Sequence, residues 1–201
     1  MSQAILSNGV RALALGSFGL LVAACGGSSS TAEFRLMDAP PAGVTAVNVW
    51  VAAIQVHVVD NAEARDADPN DGTIDDDNKW LSLVVNRSID LVQHQGETAA
   101  ELLGQLPLPA GKITQIRLIL DTTKPNTATR LGVACNLDTS EVVRKGIKIN
   151  HPFKAFGGNS KYAIWVDFKL DESLIENGTC FTLKPKLKLH KVKVDDKDAT
   201  L

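Results

Sequence analysis

The chain has 201 residues, 44% of them hydrophobic and 22% charged, which suits one domain with a real core plus an export segment. Residues 1–24 carry one base, Arg11, and no acid, so removing them leaves 20 bases (21 less 1) against 23 acids, a net charge of −3. That balance excludes nucleic acid as a partner of the whole domain, and no serine-hydrolase or P-loop motif occurs.

Residues 12–24 form an apolar stretch of 13 residues. A bilayer-spanning helix needs roughly 20, whereas this length matches the apolar region of a secretory signal. The stretch ends in Val22-Ala23-Ala24-Cys25, which resembles the lipobox of bacterial lipoproteins, with Val22 where Leu is usual. The resemblance implies that residues 1–24 are removed, that Cys25 receives a diacylglycerol, and that residues 25–32, rich in Gly and Ser, act as a flexible tether. It also implies the cell envelope as location, and the outer membrane if the organism has one, because Gly26 is not Asp. The alternative is an ordinary signal peptide with an incidental cysteine. The folded domain is expected over residues 33–201.

Period-two alternation dominates the rest. Val47, Val49 and Val51 share one face, and Ile54, Val56 and Val58 continue in shifted phase, so a β-bulge is expected near Ala52-Ala53. Trp80–Val85, Ser88–Val92, a segment holding Ile113, Ile116, Leu118 and Leu120, Glu141–Ile149 and Tyr162–Leu170 read as further strands. Phe181–Val194 reads as one last strand, its leucines alternating with lysines. Glu97–Leu103 and Asp171–Ile175 are expected to be the two short helices. Close strands with turn residues between them predict a mostly β fold, an antiparallel sandwich.

The sharpest motif is acidic. Asp60 to Asp77 contains eight acids and one base, Arg65. Hard cations such as calcium take six to eight oxygens, and Asp66, Asp68, Asn70, Asp75 and Asp77 are candidate calcium ligands. Gly72 falls one place late for an EF-hand loop, and the alternative is a solvated loop. Once Cys25 is lipidated, Cys135 and Cys180 are left over in an oxidising compartment. They are expected to form a disulfide that staples two loops, the alternative being two buried thiols. Lys184, Lys186, Lys188, Lys191 and Lys193 make a basic run. It reads either as an edge strand guarded by lysines or as a surface for anionic headgroups or acidic polysaccharide. His57, His94, His151 and His190 show no metal-binding spacing. Trp50, Trp80 and Trp165 would form a sugar platform if exposed together, and otherwise pack the core.

Several segments in order carry a family resemblance. These are Phe34 to Pro40 leading into Ala46 to Val49, Leu108 to Leu118, Ile147 to Phe153, Val166 to Phe168, and Phe181 to Pro185. Together they resemble the bacterial lipoprotein family of the domain of unknown function 4382, over about Glu33 to Val194. The resemblance implies an immunoglobulin-like or transthyretin-like sandwich on an exported protein, and no activity or functional residue. The acidic stretch and the cysteine pair depart from the family pattern. The expected function is therefore a non-enzymatic, lipid-anchored envelope protein that recognises a glycan or another envelope protein. A carbohydrate-binding module and a structural subunit joining surface proteins through sheet edges are the alternatives.

Overall fold

In the first strand, Ala32, Phe34 and Leu36 point inward and are fully buried, while Thr31, Glu33 and Arg35 point outward. The same alternation, repeated along most strands, gives each sheet one apolar face, and two such faces pack together. The structure, a computed structural model, describes residues 29–59, 80–142, 146–150 and 158–199. Cys25, His151 and the calcium candidates Asp66, Asp68, Asn70, Asp75 and Asp77 lie outside the described residues.

The described chain forms β1 (Ser30–Met37), β2 (Val44–Val59), β3 (Trp80–Asp90), β4 (Glu101–Leu108), β5 (Lys112–Leu120), β6 (Thr127–Arg130), β7 (Val133–Asn136) and β8 (Ile147–Asn150). It continues through β9 (Lys161–Asp167), α1 (Leu170–Ser173), β10 (Leu174–Asn177), β11 (Cys180–Leu183), β12 (Lys188–Val194) and β13 (Lys197–Asp198). One sheet has the order β13-β12-β9-β1-β4. The other has the order β7-β6-β2-β5-β8, with β3 on the free edge of β2, and β10 and β11 form a small hairpin. The result is the expected β-sandwich. Among the described strands every pairing is antiparallel except that of β1 with β9, which is parallel. Two isolated bridges, Asp38 with Gln95 and Asp138 with Thr182, are parallel as well.

The long β2 organises the second sheet. It pairs with β3 from Asn48 to His57 on one edge, and on the other with β6 at its start and β5 at its end. The register shifts between Val51 and Ala53, which is the bulge expected from the change of valine phase. Val47, Val49, Val51, Ile54 and Val56 all stay fully buried across it. Between β5 and β6, buried Asn126 holds the corner. Its Oδ1 accepts the Trp50 N–H at 2.8 Å, and its Nδ2 donates to the carbonyls of Asp121 at 3.0 Å and Lys124 at 2.8 Å. Each such bond satisfies a backbone group that would otherwise be stranded at the turn.

Several expectations need correction. The strand read over Glu141–Ile149 is described only from Ile147, with Glu141 in a turn, and the strand read over Tyr162–Leu170 ends at Asp167. The helix read over Asp171–Ile175 is the single turn α1, after which Leu174 and Ile175 belong to β10. Ser30 opens β1 and Ala32 is buried, so the folded domain starts inside the predicted tether of residues 25–32. The helix expected over Glu97–Leu103 is a single 3-10 turn, Glu97–Ala99, followed by β4. Leu103, Leu106 and Leu108 enter the core, but the register shifts at Gly104, whose φ is +146°. This bulge gives the leucines a spacing that imitates a helix. Trp80–Val85 joins the start of Ser88–Val92 in one strand, β3, through Asn86 at φ +47°, while Leu91 and Val92 fall in a 3-10 turn, Leu91–Gln93. Phe181–Val194 is two strands in different sheets, because Pro185 has no N–H to continue a ladder and the chain changes sheet there.

Candidate functional site

The outer face of the five-stranded sheet carries a groove of about 400 Å³. Its floor follows from the register. Arg35 lies beside Trp165, Glu33 beside Ala163, and Thr31 beside Lys161, while Gln105 and Lys193 flank these rows from β4 and β12. Ala163 supplies almost no side chain at the centre, and larger neighbours build the walls. Arg35 Nε donates to Glu33 Oε1 at 2.7 Å, its terminal nitrogen also reaches the same oxygen, and Gln105 Nε2 donates to Glu33 Oε2 at 3.3 Å. The Trp165 ring, only 8% exposed, is flanked by the Arg35 guanidinium at 5.6 Å and the Lys193 ammonium at 5.8 Å from its centroid.

A clamp next to the groove fixes Trp165. Its indole N–H donates to the Glu97 carbonyl at 3.4 Å. The Glu97 carboxylate accepts from Lys191 at 3.0 Å and meets His190 Nε2 at 3.1 Å. These hydrogen bonds, Lys191 first and His190 second, hold the Glu97 carboxyl below its ordinary pKa, and the same bond raises Lys191. His190 is thus a hydrogen-bond partner of Glu97. Among the described residues, no three His, Cys, Asp or Glu side chains stand together as metal ligands.

The tryptophans do not form one platform. Trp165 belongs to the five-stranded sheet, and Trp50 and Trp80 belong to the other. Trp80 pairs with His57, seven residues from Trp50 along β2, or about 20 Å. The Arg117 guanidinium stacks on Trp80 at 3.8 Å, and the Trp50 indole donates to Asn86 Oδ1 at 3.1 Å.

The basic run divides. Lys191 and Lys193 serve the Trp165 face, whereas Lys186 and Lys188 join Lys148 and Lys169 around a second hollow of about 460 Å³. Cys135 and Cys180 are bonded, with Cα atoms 5.8 Å apart. They sit in β7 and β11 rather than in loops, so the bridge ties the β10–β11 hairpin to the six-stranded sheet.

Two buried acids were not visible as special in the sequence. Asp38 is 1% exposed, and its Oδ1 accepts the Leu170 N–H at 2.9 Å, anchoring the start of α1. Burial pushes its pKa up to about 6, with Asp167 and Asp171 adding to the rise. Asp167, also buried, pairs with Lys169 at 3.2 Å. Asp38 and Asp167 lie in segments that carry the family resemblance, yet a buried acid reads like a surface acid until the fold is known.

The sequence profile of a domain of unknown function, DUF4382, matches residues 29–185. The chain belongs to the DUF4382 family. The match opens at the residue before β1 and runs through β11, so β12 and β13 of this DUF4382 domain lie beyond it. Among curated proteins, none matches the chain.

Proposed function

We propose that this DUF4382 protein is an exported bacterial lipoprotein, held to the cell envelope through acylated Cys25, and that its sandwich recognises a ligand and catalyses no reaction. The observation that carries the recognition role is the groove around Trp165, where polar groups surround a tryptophan wall. The charges there are engaged with one another, Glu33 with Arg35 and Glu97 with Lys191, and His190 is hydrogen-bonded to Glu97. Groups held in such pairs suit binding and orientation rather than proton transfer. The short apolar stretch ending in Val22-Ala23-Ala24-Cys25 supports the anchor, with the outer membrane as the address where the organism has one.

A second reading, carbohydrate binding, is favoured by the groove's composition. Thr31, Glu33, Arg35 and Gln105 line it with groups that donate to and accept from hydroxyls. The test has two arms. Cys25→Ser should move the protein out of the membrane fraction or leave it unprocessed, and unchanged detergent partitioning with cleavage elsewhere rejects the anchor. In the second arm, envelope extract is passed over the wild type and over Arg35→Ala/Lys193→Ala. Recognition through the groove requires a component retained by the first and lost by the second, and identical retention rejects it.

A further inference from the structure

The two long sides of the sandwich differ. On one, β3 and β4 close against each other: Arg87 donates to the Leu102 carbonyl at 2.6 Å and pairs with Glu101 at 2.6 Å. Leu83 also lies where a side chain at Gly104 would go. On the other, the short edge strand β8 faces the segment linking β11 to β12, and the seam between them is the second hollow. It is lined by the apolar Ile147, Pro185 and Leu187, by Lys148, Lys169, Lys186 and Lys188, and by one acid, Glu172.

Charge at this seam is in excess. Lys169 is matched by Asp167 and Lys186 by Glu172, each at 3.2 Å. Lys188 and the neighbouring Lys184 are exposed, and among the described residues neither makes an ion pair. A cluster of ammonium groups in a hollow, on a domain whose net charge is negative, focuses a local positive potential. Its position bears on what it attracts. Thr31 pairs with Lys161 where the chain enters β1, and Met37 pairs with Asp167, which in turn pairs with Lys188. Six residues of β9 separate these points, about 20 Å along the sheet. Headgroup charges are screened within a Debye length of about 8 Å. The lysines thus stand at the end of the sheet away from the entry of the chain.

We propose that this lysine-lined seam binds the acid groups of an envelope polymer, an acidic polysaccharide. Its carboxylates would meet Lys186 and Lys188 first, and its sugar faces would rest on Pro185 and Leu187. The inference relies on the proposed anchor at Cys25 only in preferring polymer to membrane.

The experiment uses the full chain and measures binding to polygalacturonate, with neutral dextran and phosphatidylglycerol vesicles alongside. The wild type should bind polygalacturonate and not dextran. Lys186→Gln/Lys188→Gln should bind about tenfold more weakly or worse, as the loss of two charge contacts implies. Lys124→Gln/Lys197→Gln removes as many positive charges from exposed positions outside both hollows and should bind as the wild type does. The proposal is overturned if the wild type ignores polygalacturonate, or if both double variants lose binding equally. Preferential binding to the vesicles through Lys186 and Lys188 would overturn it too, making a membrane the partner. None of these readings depends on the Trp165 groove having a ligand, so failure here and failure there are separable.

Discussion

Asp38→Asn tests whether a buried charge is held at a cost. The Asp38 carboxyl has a pKa of about 6 against an ordinary value of 3.8, a rise of about 2 units. At 1.36 kcal/mol per unit, that is roughly 3 kcal/mol of stability missing at neutral pH. The sign follows from proton counting. Between about pH 4 and pH 6 the native state holds a proton that the unfolded chain has released, so this group's contribution falls as pH rises through that window and is flat above it. Asparagine keeps an oxygen for the Leu170 N–H and discards the charge, but its NH2 takes the place of Oδ2, which is buried with no hydrogen-bond partner among the described residues, at a cost of about 1 kcal/mol. The variant should therefore be more stable than the wild type by about 1–2 kcal/mol near pH 7.5, and the gain should vanish towards pH 4. Urea unfolding followed by tryptophan fluorescence across this range reads both quantities, and the neutral-pH gain equals a Tm rise of about 2–8 °C. A difference between variant and wild type that does not change with pH, or that favours the wild type more at pH 7.5 than at pH 4, refutes the reasoning.

Other consequences are equally measurable. Replacing Cys135 and Cys180 by serine opens a 45-residue separation and should cost about 4 kcal/mol in urea unfolding, with faster proteolysis at the β10–β11 hairpin. Asn126→Ala should cost about 2–3 kcal/mol, since three hydrogen bonds at the β5–β6 corner go with it. Gly111→Ala should destabilise by about 1–3 kcal/mol, because a Cβ there would lie 2.4 Å from the Val59 carbonyl oxygen. Glu97→Gln should weaken the contacts to Lys191 and His190 but keep the carbonyl bond to Trp165, so the near-ultraviolet circular dichroism should stay close to that of the wild type. It should also remove a contribution that is present above the ordinary carboxyl pKa and lost as pH falls through the lowered one.

The sandwich was legible because burial imposes a period of two, and β2 shows the argument at its best. There the change of valine phase located the bulge before any coordinates. The same device hid β4, since a bulge at Gly104 converts alternation into helical spacing. The leucine–lysine alternation from Leu183 to Leu189 concealed a change of sheet, because both halves bury leucine and expose lysine, and only Pro185 marks the break. In the site, the lysine run was visible as charge, but its division between two concavities depends on where β12 docks. Ala163, at the centre of the Trp165 groove, matters for what it lacks, which no motif records. The pairing of Cys135 with Cys180 followed from counting, while its place between two strands did not.

The parallel pairing of β1 with β9 has a mechanical consequence. A pull arriving through residue 29 enters at one end of a strand that lies inside its sheet, between β4 and β9. Tension along that strand loads the hydrogen bonds to both neighbours together, as in shear, instead of peeling an outer strand one bond at a time. A domain dragged by its amino-terminal end should thus resist far larger forces than the same domain pulled from Lys197–Asp198, whose two residues form the outermost ribbon.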